Sequence, residues 1–242
     1  MILRISVFYV LTWFFLILLG GSQQATGLLP PEIGLAQLAP GIAALLMLVI
    51  FRKDGHQIIF LSKGISFSRY LYAALIPAGV SLVVLVIRSL MDITPSATVP
   101  IYSSLIAFIL RMPFGALGEE IGWRGYLHKK LDTRLRGLFS SLIVGILWMP
   151  IHVAFLSQGP IFIFFLAILI ISYSIVFYAL VQDAGFNVLL ASIFHLAVNL
   201  TNLLFLDVIY ELSFMIVNSL VWALLAAGFV IFRRDLFLNT NR

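Results

Sequence analysis

Apolar runs of close to twenty residues recur along the whole chain and restrict its possible folds more than any other feature. A helix rises about 1.5 Å per residue, so about 20 apolar residues cross the hydrocarbon core of a bilayer. Hydrophobic residues make up 62% of the 242 positions and charged residues only 10%. The eight runs are residues 5–20, 33–51, 70–90, 98–117, 137–156, 160–181, 186–206 and 212–232. We therefore predict an all-α, polytopic membrane protein with about eight transmembrane helices.

The basic residues between these spans predict the orientation of the chain, because cytoplasmic links carry an excess of lysine and arginine. The basic residues fall in alternate links and in the tail, as Arg52, Lys53, Lys63 and Arg69, then Arg124, Lys129, Lys130, Arg134 and Arg136, then Arg233, Arg234 and Arg242. The links 21–32, 91–97, 157–159 and 207–211 contain none. Eight spans then place both termini in the cytoplasm. Arg88, near the outer end of the third span, is expected to extend toward the interface.

Composition excludes several classes of function. The net charge of +5 lies in short links, where membrane topology and anionic lipid explain it, so we expect a lipid bilayer and no nucleic acid as partner. The absence of cysteine excludes disulfides, thiolate metal sites and a cysteine nucleophile. The first span lacks a small-x-small cleavage site after it, which favours a retained helix over a signal peptide. We find no linker and no inverted repeat, and expect one membrane domain over residues 1–242.

Acidic side chains interrupt the apolar pattern at residues 117–127, L-G-E-E-I-G-W-R-G-Y-L. An ionisable group in hydrocarbon costs about 2.5–3.5 kcal/mol on insertion scales, so a functional site is the default interpretation. Glu120 and Arg124 are four apart and can pair on one helix face, whereas Glu119 points about 100° away and is free for chemistry. The alternative is a cytoplasmic-end salt bridge with Glu119 solvated. The glycines at helical spacing, Gly115, Gly118, Gly122 and Gly125, predict that another helix approaches closely.

Two further polar elements interrupt later spans. In W-M-P-I-H, Trp148 and His152 share one face, and Pro150 predicts a kink because it cannot donate to the carbonyl of Ile146. In the seventh span a polar stripe is formed by Ser192, His195, Asn199 and Asn202. Hydrogen bonds between helices are the alternative for both elements. The other two histidines, His56 and His128, fall in links and are expected to be solvated.

A carboxylate, two imidazoles and an amide are the groups needed to activate water and stabilise an oxyanion. The three elements together, Glu119-Glu120-x-x-x-Arg124, Trp148-x-x-x-His152 and His195-x-x-x-Asn199, resemble the motifs of the CPBP intramembrane proteases. That family includes the eukaryotic CaaX prenyl endopeptidase and bacterial proteins tied to bacteriocin self-immunity. The resemblance covers residues 98–205, and G-W-R-G-Y-L is typical of bacterial members. Trp148 stands where the family often has phenylalanine.

The resemblance implies a glutamate-dependent endopeptidase in a bacterial plasma membrane that cleaves a membrane-associated peptide or protein. Glu119 would be the general base, assisted by His152. His195 and Asn199 would bind the oxyanion, and Glu120 and Arg124 would hold the site in shape. The set His152, His195 and Glu119 matches the His₂Glu ligands of zinc peptidases. The contiguous H-E-x-x-H signature is absent, which favours a metal-free site with zinc as the alternative.

Two alternatives from other classes stay open. The buried Glu and His residues could serve a membrane transport or ligand-binding protein without bond cleavage, although such transporters show repeats that this chain lacks. The second alternative is a protein without catalytic activity that only binds another membrane protein. In the protease interpretation, Glu119 can meet His152 only if the fourth helix runs on to about residue 131, and the site would open to the cytoplasm or sideways to lipid.

Overall fold

Long apolar helices packed side by side form most of the molecule. The computed structural model describes residues 1–27, 34–91 and 103–238, and within these ranges it contains helices and no strand. The helices are α1 (Ile2–Thr26), α2 (Ala39–Ile50), α3 (Phe67–Leu90), α4 (Ser103–Glu120), α5 (Gly137–Trp148), α6 (Pro160–Val181), α7 (Val188–Asn202), α8 (Leu212–Phe232) and the short α9 (Arg234–Leu238). The closest neighbours are α6 with α8 and α5, α3 with α7, α1 with α2, and α4 with α7.

Five of these helices are long and apolar enough to cross a membrane: Ile2–Thr26, Phe67–Leu90, Pro160–Val181, Val188–Phe205 and Leu212–Phe232. The segments Leu35–Ile50 and Gly137–Ile151 are apolar but shorter. The all-α, polytopic fold is therefore confirmed, and the protein is a multi-pass membrane protein. The start of the predicted fourth span, residues 98–102, lies outside the described residues. The cytoplasmic location of the termini stays a prediction.

The fourth helix is long, as the distance between the motifs requires. After Glu120 the chain continues as a π-helix over Ile121–His128 and ends in an α-helical turn, Lys129–Asp132. The motif therefore lies within a continuous helical segment and not at its end. The prediction that His128 is solvated was wrong, because this continuation buries the imidazole against the rings of Tyr178 and Phe186, at centroid distances of 5.1 and 5.6 Å. His56 is half-buried, and its Nε2 donates to the carbonyl of Gly125 (3.0 Å).

The fifth helix ends earlier than the predicted span. It stops at Trp148, and the chain continues through 3₁₀ turns at Met149–Ile151 and Val153–Gln158, with His152 between them. The cause lies in Pro150, which has no N–H to continue the helical ladder. The helix therefore does not kink and continue; it ends, and His152 sits in the irregular backbone that follows.

The start of α2 packs against α4 through glycines. An added Cβ at Gly122 would lie 2.4–2.5 Å from atoms of Pro40, and one at Gly118 would lie 2.8 Å from the Leu38 side chain. A Cβ at Gly115 would meet the side chain of Gln37 at 2.3 Å. At Gly125 a Cβ would lie 3.0 Å from Val188 at the start of α7, so the predicted close approach of another element is found at all four glycines. The contact at Gly115 brings Gln37 next to the acidic motif.

The charged residues of one end of the bundle bind the helices to one another. Asp54 accepts from Arg4 of α1 (3.0 Å) and from Lys130 at the end of the fourth helical segment (2.8 Å). The hydrogen bond from Arg4 and then that from Lys130 hold the pKa of Asp54 well below its usual range. Asp183, in the link after α6, pairs with Arg233 after α8 (2.9 Å). We call this end the basic end.

Arg88 lies at the opposite end of the bundle, where the expectation of an extended, interfacial side chain was wrong. The side chain is only 1% exposed and lies 3.6 Å from the carboxylate of Glu211. The link before α8 brings this acid to the end of α3. The cation is therefore retained within the bundle and paired, and it does not extend to the interface.

We expect Gly122→Ala to lower the thermal stability of the detergent-solubilised protein, because the new methyl group overlaps the backbone of Pro40. Overpacking of this kind costs about 1–3 kcal/mol. Gly79→Ala in α3 is the matched control, since a Cβ there meets nothing within 4 Å. A thermal unfolding series checks the pair, and equal midpoints for the two variants would contradict the close contact between α2 and α4.

Candidate active site

A buried ionic contact joins the first motif to the third. Arg124 donates from Nη1 to Oε1 of Glu120 (2.9 Å), and Nδ1 of His195 lies 2.7 Å from the same oxygen. Glu120 and Arg124 are fully buried and His195 is 6% exposed. Because a carboxylate oxygen accepts hydrogen bonds, Nδ1 of His195 is the donor, and Nε2 is the ring nitrogen left for other partners.

Aromatic rings enclose the guanidinium of Arg124. Its central carbon lies 4.1 Å from the ring centroid of Trp148 on α5 and 3.5 Å from that of Phe177 on α6. A cation is attracted to the faces of aromatic rings, most strongly where water is excluded. The site is thus held by α4, α5, α6 and α7 together, and it places the second motif beside the other two.

Glu119 has different partners from Glu120. Its Oε2 accepts from the indole Nε1 of Trp148 (2.8 Å), and its Oε1 lies 3.5 Å from the amide nitrogen of Gln37. The side chain is only 6% exposed, so the alternative of a solvated Glu119 at a helix end is wrong. Arg124 holds one carboxylate, and the other is held only by neutral donors among the described residues. This is the division expected from their positions on the helix.

Both histidines of the motifs pack against the Trp148 indole. The ring centroid of His152 is 5.4 Å from that of the indole, and the centroid of His195 is 5.6 Å away. Nδ1 of His152 lies 3.2 Å from the carbonyl oxygen of Trp148, which can only accept. The other ring nitrogen, Nε2, is therefore the one with a free lone pair when the ring is neutral. Trp148 bonds Glu119 and also determines where both imidazoles sit.

A cavity of about 250 Å³ lies against this group. His152, His195 and Asn199 line it, as do Trp148 and Gln37, the two residues that hold Glu119. Glu119 itself lies behind these two side chains. The remaining wall is largely apolar and comes from α6, α7, α8 and the segment after α5. Imidazole and amide side chains therefore line one part of an otherwise largely apolar cavity, next to the carboxylate of Glu119.

Sequence analysis did not place four polar residues of this cavity in the site. Gln37, Tyr173 and Asn218 line it, together with Arg111, which donates to the side-chain oxygen of Gln37 (3.1 Å). Tyr173 is within hydrogen-bonding reach of Asn202 and Asn218, and Asn202 belongs to the stripe on α7. A lone amide in the apolar run 212–232 was a usable signal, because polar residues within spans are costly. Ser192 instead donates to the carbonyl of Val188 and is not among the lining residues.

The suggested zinc ligands do not form a metal site in this arrangement. Across residues 1–27, 34–91 and 103–238, no group of three or more His, Cys, Asp or Glu side chains is placed to hold a metal ion. His195 directs Nδ1 to Glu120, and Glu119 bonds the indole of Trp148. The residues present do not fit a His₂Glu centre, and no step below depends on one.

Buried acid, imidazole and amide groups thus lie beside a cavity between membrane helices. In comparison with known proteins, residues 101–201 match the Rce1-like family, described as type II CAAX prenyl endopeptidase Rce1-like. The chain is also similar to "Lysostaphin resistance protein A" of Staphylococcus aureus, strains bovine RF122 / ET3-1, Newman and USA300. Each is 26% identical over 259 residues, covering 99% of this chain and 60% of the relative. The chain thus spans about 60% of the length of these relatives. The matches confirm the resemblance to the CPBP family.

We expect Arg124→Met to lower the free energy of unfolding by about 3–5 kcal/mol, because the buried Glu120 carboxylate loses its cation. Adding Glu120→Gln to this variant removes the uncompensated charge and should recover part of the loss. Thermal unfolding of the two single variants and the double variant, in one detergent, measures the coupling. Additive losses would contradict a direct ionic contact between these side chains.

Proposed function

We propose that the protein is a glutamate-dependent intramembrane endopeptidase that hydrolyses a membrane-associated peptide or protein. The observation that carries this proposal is the position of Trp148. Its indole Nε1 bonds Glu119, its ring contacts both His152 and His195, and it lines the cavity. A water molecule bound in the cavity beside this ring would lie close to the carboxylate of Glu119 and to the imidazoles of His152 and His195.

Glu119 is proposed as the general base. Among the described residues it accepts hydrogen bonds only from the neutral donors Trp148 and Gln37, whereas Glu120 is bound by Arg124 and His195, so Glu119 is the carboxylate available to a water molecule. His152 assists, since its Nε2 can accept a hydrogen bond from the same water. The water oxygen attacks the carbonyl carbon as its proton moves to Glu119. That proton is then delivered to the amine nitrogen as the C–N bond breaks, which yields a carboxylate and an amine.

His195 and Asn199 are proposed to bind the oxyanion. Both line the cavity one helical turn apart on α7. Glu120 fixes the imidazole through Nδ1, so Nε2 is the ring nitrogen that meets the developing negative charge, and it donates to that charge when the ring is the imidazolium. Glu120 and Arg124 are positioning residues in this scheme, because they act through His195 and Trp148 and lie out of the cavity lining.

The substrate class follows from the surroundings of the site. A chamber with a largely apolar wall between membrane helices accommodates a peptide segment that is itself associated with the bilayer. A prenylated CaaX substrate does not follow, because the proposed bacterial origin favours other membrane peptides. The lysostaphin resistance in the name of the relatives is said of those longer proteins. We propose that this chain acts in a comparable setting at the bacterial plasma membrane.

The test is hydrolysis of a membrane-anchored peptide library by the purified protein in proteoliposomes, followed by mass spectrometry. We expect Glu119→Gln to reduce the rate about 10²–10⁴-fold, the usual contribution of general acid–base catalysis. His152→Ala should also reduce it. Ser192→Ala is the matched control on α7, because this hydroxyl bonds the Val188 carbonyl and is not a lining residue.

Two results would contradict the protease proposal. One is hydrolysis that is unchanged in Glu119→Gln. The other is substrate flux or ligand affinity that depends on Glu119 and the two histidines while no peptide bond is cleaved. The second result would establish the transport or ligand-binding alternative.

A further inference from the structure

The direction in which the cavity opens can be derived from the packing of the two ends of the bundle. The basic end contains Asp54 with Arg4 and Lys130, and Asp183 with Arg233. These contacts join the start of α1, the end of the fourth helical segment, the link after α6 and the end of α8. The lysine and arginine bias in links sets orientation, so this end belongs in the cytoplasm.

A packed layer separates the basic end from the site. Trp123, Arg124, Tyr126, Leu127 and His128 of the π-helix are each at most 2% exposed. They lie between Glu120 and the final turn at Lys129–Asp132. Among the described residues, none that lines the cavity lies between this stretch and the basic end.

The segment after Asp54 covers the same end. Lys129 donates to the carbonyl of Gln57 (2.8 Å), and the carbonyls of Ile59 and Phe60 accept from the backbone N–H groups of Val188 and Leu189. The first N–H groups of α7 are therefore satisfied by this link and not by water. The contacts tie the link to α4 and α7 and close the route from the basic end to His195.

The cavity extends in the opposite direction. On α7, which starts at the basic end, the lining residues run from His195 to Asn202 and continue at Leu203 and Leu206. On α8, which finishes at the basic end, they are Phe214, Met215 and Asn218 in the first turns. Among the described residues, the cations on this side of the motif are Arg111, which donates to Gln37, and Arg88, which is buried and paired with Glu211. Leu206 is 36% exposed and marks the outer part of the cavity.

We infer that substrate reaches the site from the side of the membrane opposite the basic end, which is the outer side. This differs from the cytoplasmic or lateral opening expected from the sequence. The inference rests on the proposed function and adds a substrate class to it. The segment to be cleaved lies at the outer leaflet, where it passes the apolar residues Phe155, Leu206 and Ile209 before it reaches the amides of Asn202 and Asn199.

Single cysteines test the route directly, because the chain has no cysteine of its own. Val198→Cys and Asn202→Cys place a thiol in the cavity, Leu206→Cys places one at its outer part, and Lys63→Cys places one at the basic end. Intact cells are treated with a small, membrane-impermeant methanethiosulfonate, before and after permeabilisation. We expect the three cavity variants to react in intact cells, and Lys63→Cys to react only after permeabilisation. Unfolding midpoints in detergent show which variants fold.

Three results would overturn the inference: reaction of the folded cavity variants only after permeabilisation, reaction of Leu206→Cys and Lys63→Cys from one side, or reaction of Leu206→Cys alone with no labelling deeper in the cavity. The assay involves no hydrolysis, so its failure leaves the protease proposal intact with entry from another side. Labelling from outside combined with no peptide cleavage would leave the route in place and overturn the protease.

Discussion

The contact on which the site depends is the buried carboxylate of Glu120, shared by Arg124 and His195. Removing two charges from water costs several kcal/mol per ion, and their attraction repays this only with good geometry. The rings of Trp148 and Phe177 on the guanidinium complete that geometry. Four helices contribute to this group, and Trp148, which packs against Arg124, also bonds Glu119 and His152.

The need to bring these side chains together explains the irregular backbone around the ionic group. The fourth helix must pass the level of the motif to bring Glu119 beside Trp148, and it does so as a π-helix containing two glycines. Short π segments are frequent at functional sites. The fifth helix ends at Trp148, two residues before Pro150, and His152 in the following turns lines the cavity. Gln37 reaches Glu119 because the glycines of α4 admit the start of α2.

Much of the fold could be predicted from the sequence, because hydropathy and helix periodicity are local properties. The pair of Glu120 and Arg124 and the glycine contacts follow from spacing along one helix, and the long fourth helix follows from the requirement that Glu119 meet His152. The burial of His128 did not follow, since it depends on rings contributed by Tyr178 and Phe186 of other segments. The contact of His195 with Glu120, and the place of Tyr173 and Asn218 in the cavity, also require the packing of separate helices.

The proposed role of Glu119, deprotonation of a water that cleaves a membrane peptide, can be tested in the natural setting. Quantitative mass spectrometry compares membrane peptides from cells with the native chain and cells with Glu119→Gln. We expect an uncut precursor to accumulate with the variant and its cleaved fragment to disappear. Identical peptide profiles, with both proteins present in the membrane at equal amounts, would contradict it.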